Sequence, residues 1–308
     1  MEESILDGFR LTAAERRLGV YGIKAERKNG ESVAHFWRSD DKVNLYSASK
    51  TFTSLAVGMC LENGRLSLSD RILDFFPQYR DAASPGSEAI TLRDLLHMAS
   101  GKKAMWFGEL DAQKNERDWA ELFFRVPVTG KTGTEFFYSN ACCYMLGRAV
   151  EAAAGRNVRD FLLPRLFEPL GIENPQWHAD PRGHTLCATQ LYLTLEEFSR
   201  LGALLLHGGE YGGRRLIGGD YLRNMAADTV ASGWPGCGEP ECLAGYGYQV
   251  WRCSEPGTFR ADGLYGQFCI VLPRLEAAVT VTAHEERDPY GIVRAVLRDI
   301  APRLETID

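Results

Sequence analysis

A chain of 308 residues can bury one large core or two smaller ones, and its apolar (45%), aromatic (11%) and charged (25%) fractions are those of a soluble globular protein. A formal net charge of −6 with no long basic run argues against nucleic acid or an anionic membrane as the partner. The acidic start Met1-Glu2-Glu3-Ser4-Ile5-Leu6-Asp7 lacks a signal-peptide layout, no apolar run is long enough to span a bilayer, and the eight cysteines lie mostly in apolar patterns, so a cytoplasmic location is expected.

Residues 17–26 and 32–38 read as two strands joined by a turn at Asn29-Gly30. Tyr46-Ser47-Ala48-Ser49-Lys50-Thr51-Phe52-Thr53 then opens a helix. Phe52, Leu55, Ala56, Met59 and Cys60 recur at helical spacing, and Gly64 marks the stop. Ser47 and Lys50, three apart, share a face at the positive end of that helix. Capping accounts for the serine. It does not account for the lysine, because a capping box calls for Glu or Gln there and a cation opposes the dipole. A lysine held against that field and partly buried sheds its proton more easily. A neutral amine beside a hydroxyl is a base beside a nucleophile.

Leu66-Ser67-Leu68-Ser69-Asp70 reads as a turn, followed by a short helix at 72–76. Thr91 caps a helix that ends at Met98-Ala99-Ser100-Gly101, with His97 read as a packed histidine and Ser100 as a turn serine. Residues 102–118, with Trp106 and Phe107, read as a surface loop forming a wall or lid of a pocket. A helix at 119–124 ends before Pro127. After a polar segment, Cys142, Met145, Leu146, Ala149, Val150 and Ala153 form the apolar stripe of a helix capped by Ser139 or Asn140 and ended by Gly155.

Residues 161–167 suggest another helix and 174–190 a loop. Thr194-Leu195-Glu196-Glu197 is a capping box opening a helix that stops at Gly208-Gly209. Gly212-Gly213 and Gly218-Gly219 mark turns, and 228–243 reads as irregular. Strands are expected at 246–253, 258–262, 267–272 and 277–283, then a last helix from Asp288-Pro289 with Ile292, Val293, Val296, Leu297 and Ile300 on one side. Strands at both ends with helices between them indicate an α+β fold. One mostly antiparallel sheet is built from both termini and flanked by helices, with a helical region inserted. The expected division is a discontinuous sheet domain (1–75 and 195–308) and a mainly helical domain (76–194), with the active site between them. Cys237, Cys242 and Cys253 lack CxxC spacing and a nearby histidine, so no metal site is expected there.

Three pieces now stand in order: Ser47-xx-Lys50, Tyr138-Ser139-Asn140, and Ala261-Asp262-Gly263-Leu264-Tyr265-Gly266-Gln267. With Leu95-Leu96-His97-Met98-Ala99-Ser100-Gly101 and Pro169-Leu170-Gly171-Ile172, the chain from about residue 17 onward resembles the serine beta-lactamase and penicillin-binding-protein superfamily. It looks most like the branch of class C beta-lactamases, esterases and 6-aminohexanoate-dimer hydrolases. The resemblance implies a beta-lactamase/transpeptidase-like fold and two-step acyl transfer on a small ester or amide, with no metal or cofactor. It implies Ser47 as nucleophile, Lys50 as its base and Tyr138 as the carrier of that proton to the leaving group. The nearby ammonium is expected to draw the Tyr138 phenol below its usual pKa of about 10. It further implies that Asn140 bonds Lys50 or the substrate amide. The backbone N–H groups of Ser47 and Leu264 would form the oxyanion hole.

Two departures matter. A literal Lys131-Thr132-Gly133 precedes the tyrosine motif and reads as a loop. The third motif falls instead on Ala261-Asp262-Gly263, without the cation that commonly holds a substrate carboxylate in the family. Asp262 would repel an anion, or turn aside to pair with Arg260. The expectation is therefore an esterase or amidase for neutral or cationic acyl substrates, with Tyr265 and Trp106 lining the pocket. A beta-lactamase or D-amino peptidase activity, or an acylated sensor without turnover, is the alternative. No serine stands in a GxSxG elbow, and His284-Glu285-Glu286 lacks the second histidine of HExxH. Nothing in the sequence sets an oligomeric state.

Overall fold

The strands read at the two ends of the chain meet in one sheet in the computed structural model, which describes residues 1–106, 115–233 and 238–305. β1 (Val20–Arg27) and β2 (Ser32–Phe36) form the N-terminal hairpin. The chain returns as β3 (Trp251–Arg252), β4 (Phe259–Gly263), β5 (Gln267–Leu272) and β6 (Ala277–Ala283). The order is β2-β1-β6-β5-β4-β3, every pairing is antiparallel, and β1 closes against β6 with Ala25 opposite Val279. The fold is the expected α+β arrangement.

Helices cover both faces, so β5 and β6 are buried along their whole length rather than alternating. On one face Ile23, Ala25, Phe268, Ile270, Val279 and Val281 pack with α1 (Asp7–Arg16) and the C-terminal helix. On the other, Phe259, Ala261, Cys269 and Val271 join the larger core formed with α2 (Ser49–Glu62), α3 (Asn140–Ala154) and α4 (Leu195–Leu206). α2 is the central rod, with every residue of 49–60 buried. α5 (Pro289–Ala295) starts as expected, its N-cap Asp288 accepting from the Gly291 amide.

Several local expectations need correction. The first residues form α1, and residues 17–19 end that helix rather than start a strand; Arg17 is left-handed at φ 53°. The stripe of Phe9, Thr12 and Ala13 is short and only partly apolar, so its periodicity is weak. Gly218 precedes a helix (Gly219–Ala227) instead of marking a turn. Residues 174–190 contain Gln176–Trp177, which pairs with Leu191–Leu193 and through it with Val43–Asn44. Within 246–253 only Trp251–Arg252 joins the sheet, because Gln249 is left-handed and breaks the run. The helix expected at 161–167 starts earlier, as Val158–Leu162, and continues as a wider π turn at Leu163–Phe167.

The predicted capping box of Thr194 with Glu197 is present, and the expected Thr91 cap is also a full box, closed by Asp94. Thr194→Ala leaves the Glu197 amide without its acceptor and should cost about 1 kcal/mol in urea unfolding. An unchanged midpoint would mean that water replaces the cap freely. Among the described residues no helix is long and apolar enough to cross a membrane.

Candidate active site

The chain leaves the short strand Val43–Asn44, makes a 3-10 turn at Tyr46–Ala48 and enters α2 at Ser49. Neither start is capped by a side chain, so Ser47 is not serving as a cap. Tyr46, directly before it, is left-handed at φ 46°, a costly conformation for a bulky residue.

Lys50 lies in the first turn of α2, 1% exposed. Its Nζ sits 2.8 Å from Ser47 Oγ, 2.6 Å from Asn140 Oδ1 and 3.0 Å from the Ala188 carbonyl oxygen. Among the described residues no carboxylate bonds it. Burial therefore pushes its pKa down to about 8. Two of the three neighbours can only accept. A neutral amine has two N–H groups for Asn140 and Ala188, and its lone pair is left facing the Ser47 hydroxyl.

Asn140 is held to that orientation. Ser139 takes the N-cap role of α3, accepting from the Cys142 amide, which leaves the Asn140 side chain unengaged at the helix start. Asn140 Nδ2 donates to the Trp106 carbonyl at 2.8 Å, so Oδ1 must face Lys50. The Tyr138 ring lies 4.9 Å from Lys50 Nζ and stacks on Trp251 at 5.5 Å. The expected fall in the Tyr138 pKa is overturned: burial raises it, outweighing the lowering by Ser47 and Arg260.

The third motif arrives on β4. A Cβ at Gly263 would lie 2.2 Å from the Leu45 carbonyl oxygen, so only a bare backbone lets this strand end close against the Ser47 turn. Leu264 and Tyr265 begin the β4–β5 turn, with Tyr265 left-handed at φ 64°. Ser47, Tyr138, Asp262, Gly263, Leu264 and Tyr265 all line one cavity of about 320 Å³. A second cavity of about 550 Å³ shares Tyr138 and is lined by Met105, Phe136 and Phe137.

Two residues expected at the pocket are elsewhere. Ala261 points into the core between sheet and helices, 1% exposed. Trp106 is buried against Trp119, Phe123 and Tyr144, and only its backbone carbonyl reaches the site, through Asn140; Lys103 and Met105 of the same segment are exposed and line the second cavity. Phe107, read with it, lies outside the described residues. Asp262 pairs with Arg260 at 2.8 Å yet still borders the cavity. Lys131 is exposed, and neither it nor Thr132 nor Gly133 lines either cavity. His97 is packed, its Nε2 2.9 Å from the Asp228 carbonyl. Cys237 lies outside the described residues, and among those described no cluster of His, Cys, Asp or Glu could hold a metal.

The Ala188 carbonyl was not foreseen. It acts through its backbone, between left-handed Cys187 and Gln190, and a side chain gives no hint of that.

A family model described as beta-lactamase matches residues 13–301. The lovastatin esterase of Penicillium rubens is 29% identical over 216 residues, which is 62% of this chain but only 54% of the esterase. The 6-aminohexanoate-dimer hydrolase of Paenarthrobacter ureafaciens is 20% identical over 304 residues, 91% of this chain and 78% of that one. Among solved structures, simvastatin synthase of Aspergillus terreus superposes with a TM-score of 0.74 at 15% identity, covering 98% of this chain and 97% of that chain. A penicillin-binding protein homologue from Pyrococcus abyssi does so at 0.73 and 19% identity, covering 96% of this chain and 77% of that one. Likeness at such identities speaks to the fold alone; the family match over nearly the whole length is what establishes that this chain belongs to the beta-lactamase family.

Proposed function

We propose that the protein is a serine hydrolase that cleaves a small ester or amide through an acyl-enzyme at Ser47. The observation that carries this reading is the buried Lys50 amine, 2.8 Å from Ser47 Oγ and with a pKa of about 8. In the first step Oγ bonds to the substrate carbonyl carbon as its proton passes to Lys50 Nζ. The negative charge on the carbonyl oxygen is met by the N–H groups of Ser47 and Leu264. The carbon–leaving-group bond then breaks, and the departing oxygen or nitrogen takes a proton relayed from Lys50 by Tyr138. Water attacks the acyl-enzyme and the protons return by the same route. The raised pKa of Tyr138 suits a neutral phenol that gives one proton while taking another, not a free phenolate base. Asn140 and the Ala188 carbonyl position the amine.

The relatives named as esterase and dimer hydrolase support an ester or amide substrate. So do the two cavities meeting at Tyr138, which give the two halves of such a substrate separate places. An acidic Asp262 at the cavity wall works against the carboxylate of a beta-lactam.

A fluorophosphonate probe should label Ser47, located by peptide mass spectrometry, and p-nitrophenyl butyrate should turn over. Absence of label at Ser47 would sink the proposal. Label without turnover of any ester, amide or nitrocefin would favour the acylated-sensor alternative.

A further inference from the structure

Ser47 and Lys50 stand three residues apart, yet the helix does not fix the distance between them. Lys50 lies inside α2, while Ser47 sits ahead of it in the 3-10 turn Tyr46–Ala48. The helix is tied to the segment that runs beside it. Thr53 Oγ1 donates to the Cys187 carbonyl at 3.0 Å, Lys50 Nζ to the Ala188 carbonyl at 3.0 Å, and Ser49 Oγ accepts from the Leu191 amide at 3.3 Å. These bonds place the amine. None of them reaches the turn that carries Ser47. The strand pairing of Val43–Asn44 with Tyr192–Leu193 also stops short of it, closing with the Leu45 amide 2.9 Å from the Leu191 carbonyl oxygen.

The tie between that turn and the segment is Asn44. Its Oδ1 accepts from the Tyr46 amide at 2.8 Å and from the Gln190 amide at 3.1 Å. Both donors belong to left-handed residues, Tyr46 at φ 46° and Gln190 at φ 62°. Such a backbone is costly for side chains of this size and persists only where the surroundings hold it. Tyr46 is the residue before Ser47, and Gln190 lies two residues past Ala188. The first of the two bonds alone is a local turn of a kind asparagine often makes. The second joins residues 146 apart in the chain, so the local turn does not account for it.

We propose that Asn44 is a positioning residue of the hydrolase. One oxygen clips the turn bearing Ser47 to the segment whose Ala188 carbonyl holds Lys50, and so sets the nucleophile against its base. Without the clip both left-handed residues are free to relax, and a change at Tyr46 swings Ser47 Oγ and the Ser47 amide together. This rests on the reading of Ser47 as nucleophile and Lys50 as its base, and adds what sets the distance between them.

Three substitutions test it, each followed by the rate of fluorophosphonate labelling at Ser47, by kcat and KM on p-nitrophenyl butyrate, and by the urea midpoint. Asn44→Asp keeps the accepting oxygen and should stay close to the wild type in both rates. Asn44→Ala removes it. Labelling and kcat should then fall roughly thirtyfold with KM little changed, because a misplaced reacting group is felt in the chemical step. Asn44→Ser keeps an oxygen for the local turn at Tyr46 but is one bond too short to hold Gln190 as well, so it should be slow like the alanine variant. Thr91→Ala is the control for stability. It loses a helix cap that lines neither cavity, and should lower the urea midpoint with both rates unchanged.

Wild-type rates in Asn44→Ala or Asn44→Ser would overturn the role, and so would an Asn44→Asp as slow as alanine. A Thr91→Ala slowed to the same degree would overturn it too, since lost stability alone would then explain the fall. If Asn44→Ala does not fold, the serine and aspartate variants carry the comparison. A wild type without label at Ser47 discards nucleophile and clip together. A labelled wild type whose variants keep pace with it discards the clip and leaves the nucleophile standing.

Discussion

Replacing Lys50 by alanine should lower ester turnover by roughly four orders of magnitude, and Ser47→Ala should do about the same, since a nucleophile and its base fail as a unit. Lys50→Arg should be no better. A guanidinium keeps its proton throughout the accessible range and cannot accept one from Ser47. The wild-type pH profile separates a base from a merely structural lysine. With a pKa of about 8, Lys50 is mostly an ammonium at lower pH and mostly a free amine above it. The value of kcat/KM should therefore climb through about 8 to a plateau. A profile flat from neutral pH upward, or a Lys50→Ala variant with near wild-type rates, would remove Lys50 from the role of base.

Stability should follow the same proton. Burial lowers the pKa of Lys50 in the fold from an ordinary 10.5 to about 8, so the unfolded chain binds the extra proton between those values. The stabilisation is fully present above the unfolded value and is lost as pH falls through the folded one. Lys102 shares the sign: it is 1% exposed, bonded among the described residues only to neutral oxygens of Ser84, Ser87, Phe124 and Val126, and also lowered to about 8. Thermal melts will report both lysines together. The rate profile isolates Lys50.

What could be read in the sequence divides along a physical line. Lys50 was legible because it violates the rule its neighbours obey, a cation where a helix start wants an acid. Thr91, Thr194 and Gly155 were legible because caps act over three or four residues. The sheet followed from apolar runs at both termini, although β5 and β6 are buried on both faces and so carry no alternation to fix their register. The losses are tertiary. Trp106 reads the same whether it lines a pocket or fills a core, and the rings of Trp119, Phe123 and Tyr144 decide for the core. The Tyr138 phenol was expected to fall because a neighbouring charge was weighed without its burial. The Ala188 carbonyl is fixed by backbone angles on either side, which no residue type announces.

Gly263 shows how tightly the pieces must close, and Gly263→Ala should cost roughly a hundredfold in kcat/KM together with about 1–3 kcal/mol of stability. The glycine is not there for its dihedral angles, since it is absent from the left-handed positions of the chain. It is there for space. An added Cβ would stand 2.2 Å from the Leu45 carbonyl oxygen, far inside the 3.0 Å that real Cβ contacts respect, and 2.9 Å from Gln267 Cβ. The first obstacle is backbone, so it cannot rotate away. Either β4 or the turn carrying Ser47 must move by a large fraction of an ångström. That displacement separates the Leu264 amide from the Ser47 amide, the two donors proposed to share one developing oxyanion. The loss should therefore fall on kcat and on the rate of fluorophosphonate labelling more than on KM. Gly238→Ala is the matched control, because a Cβ there meets no described residue within 4 Å. A Gly263→Ala enzyme with wild-type kcat would mean that the strand edge and the serine turn do not need this approach, and the Leu264 half of the oxyanion hole would have to be abandoned.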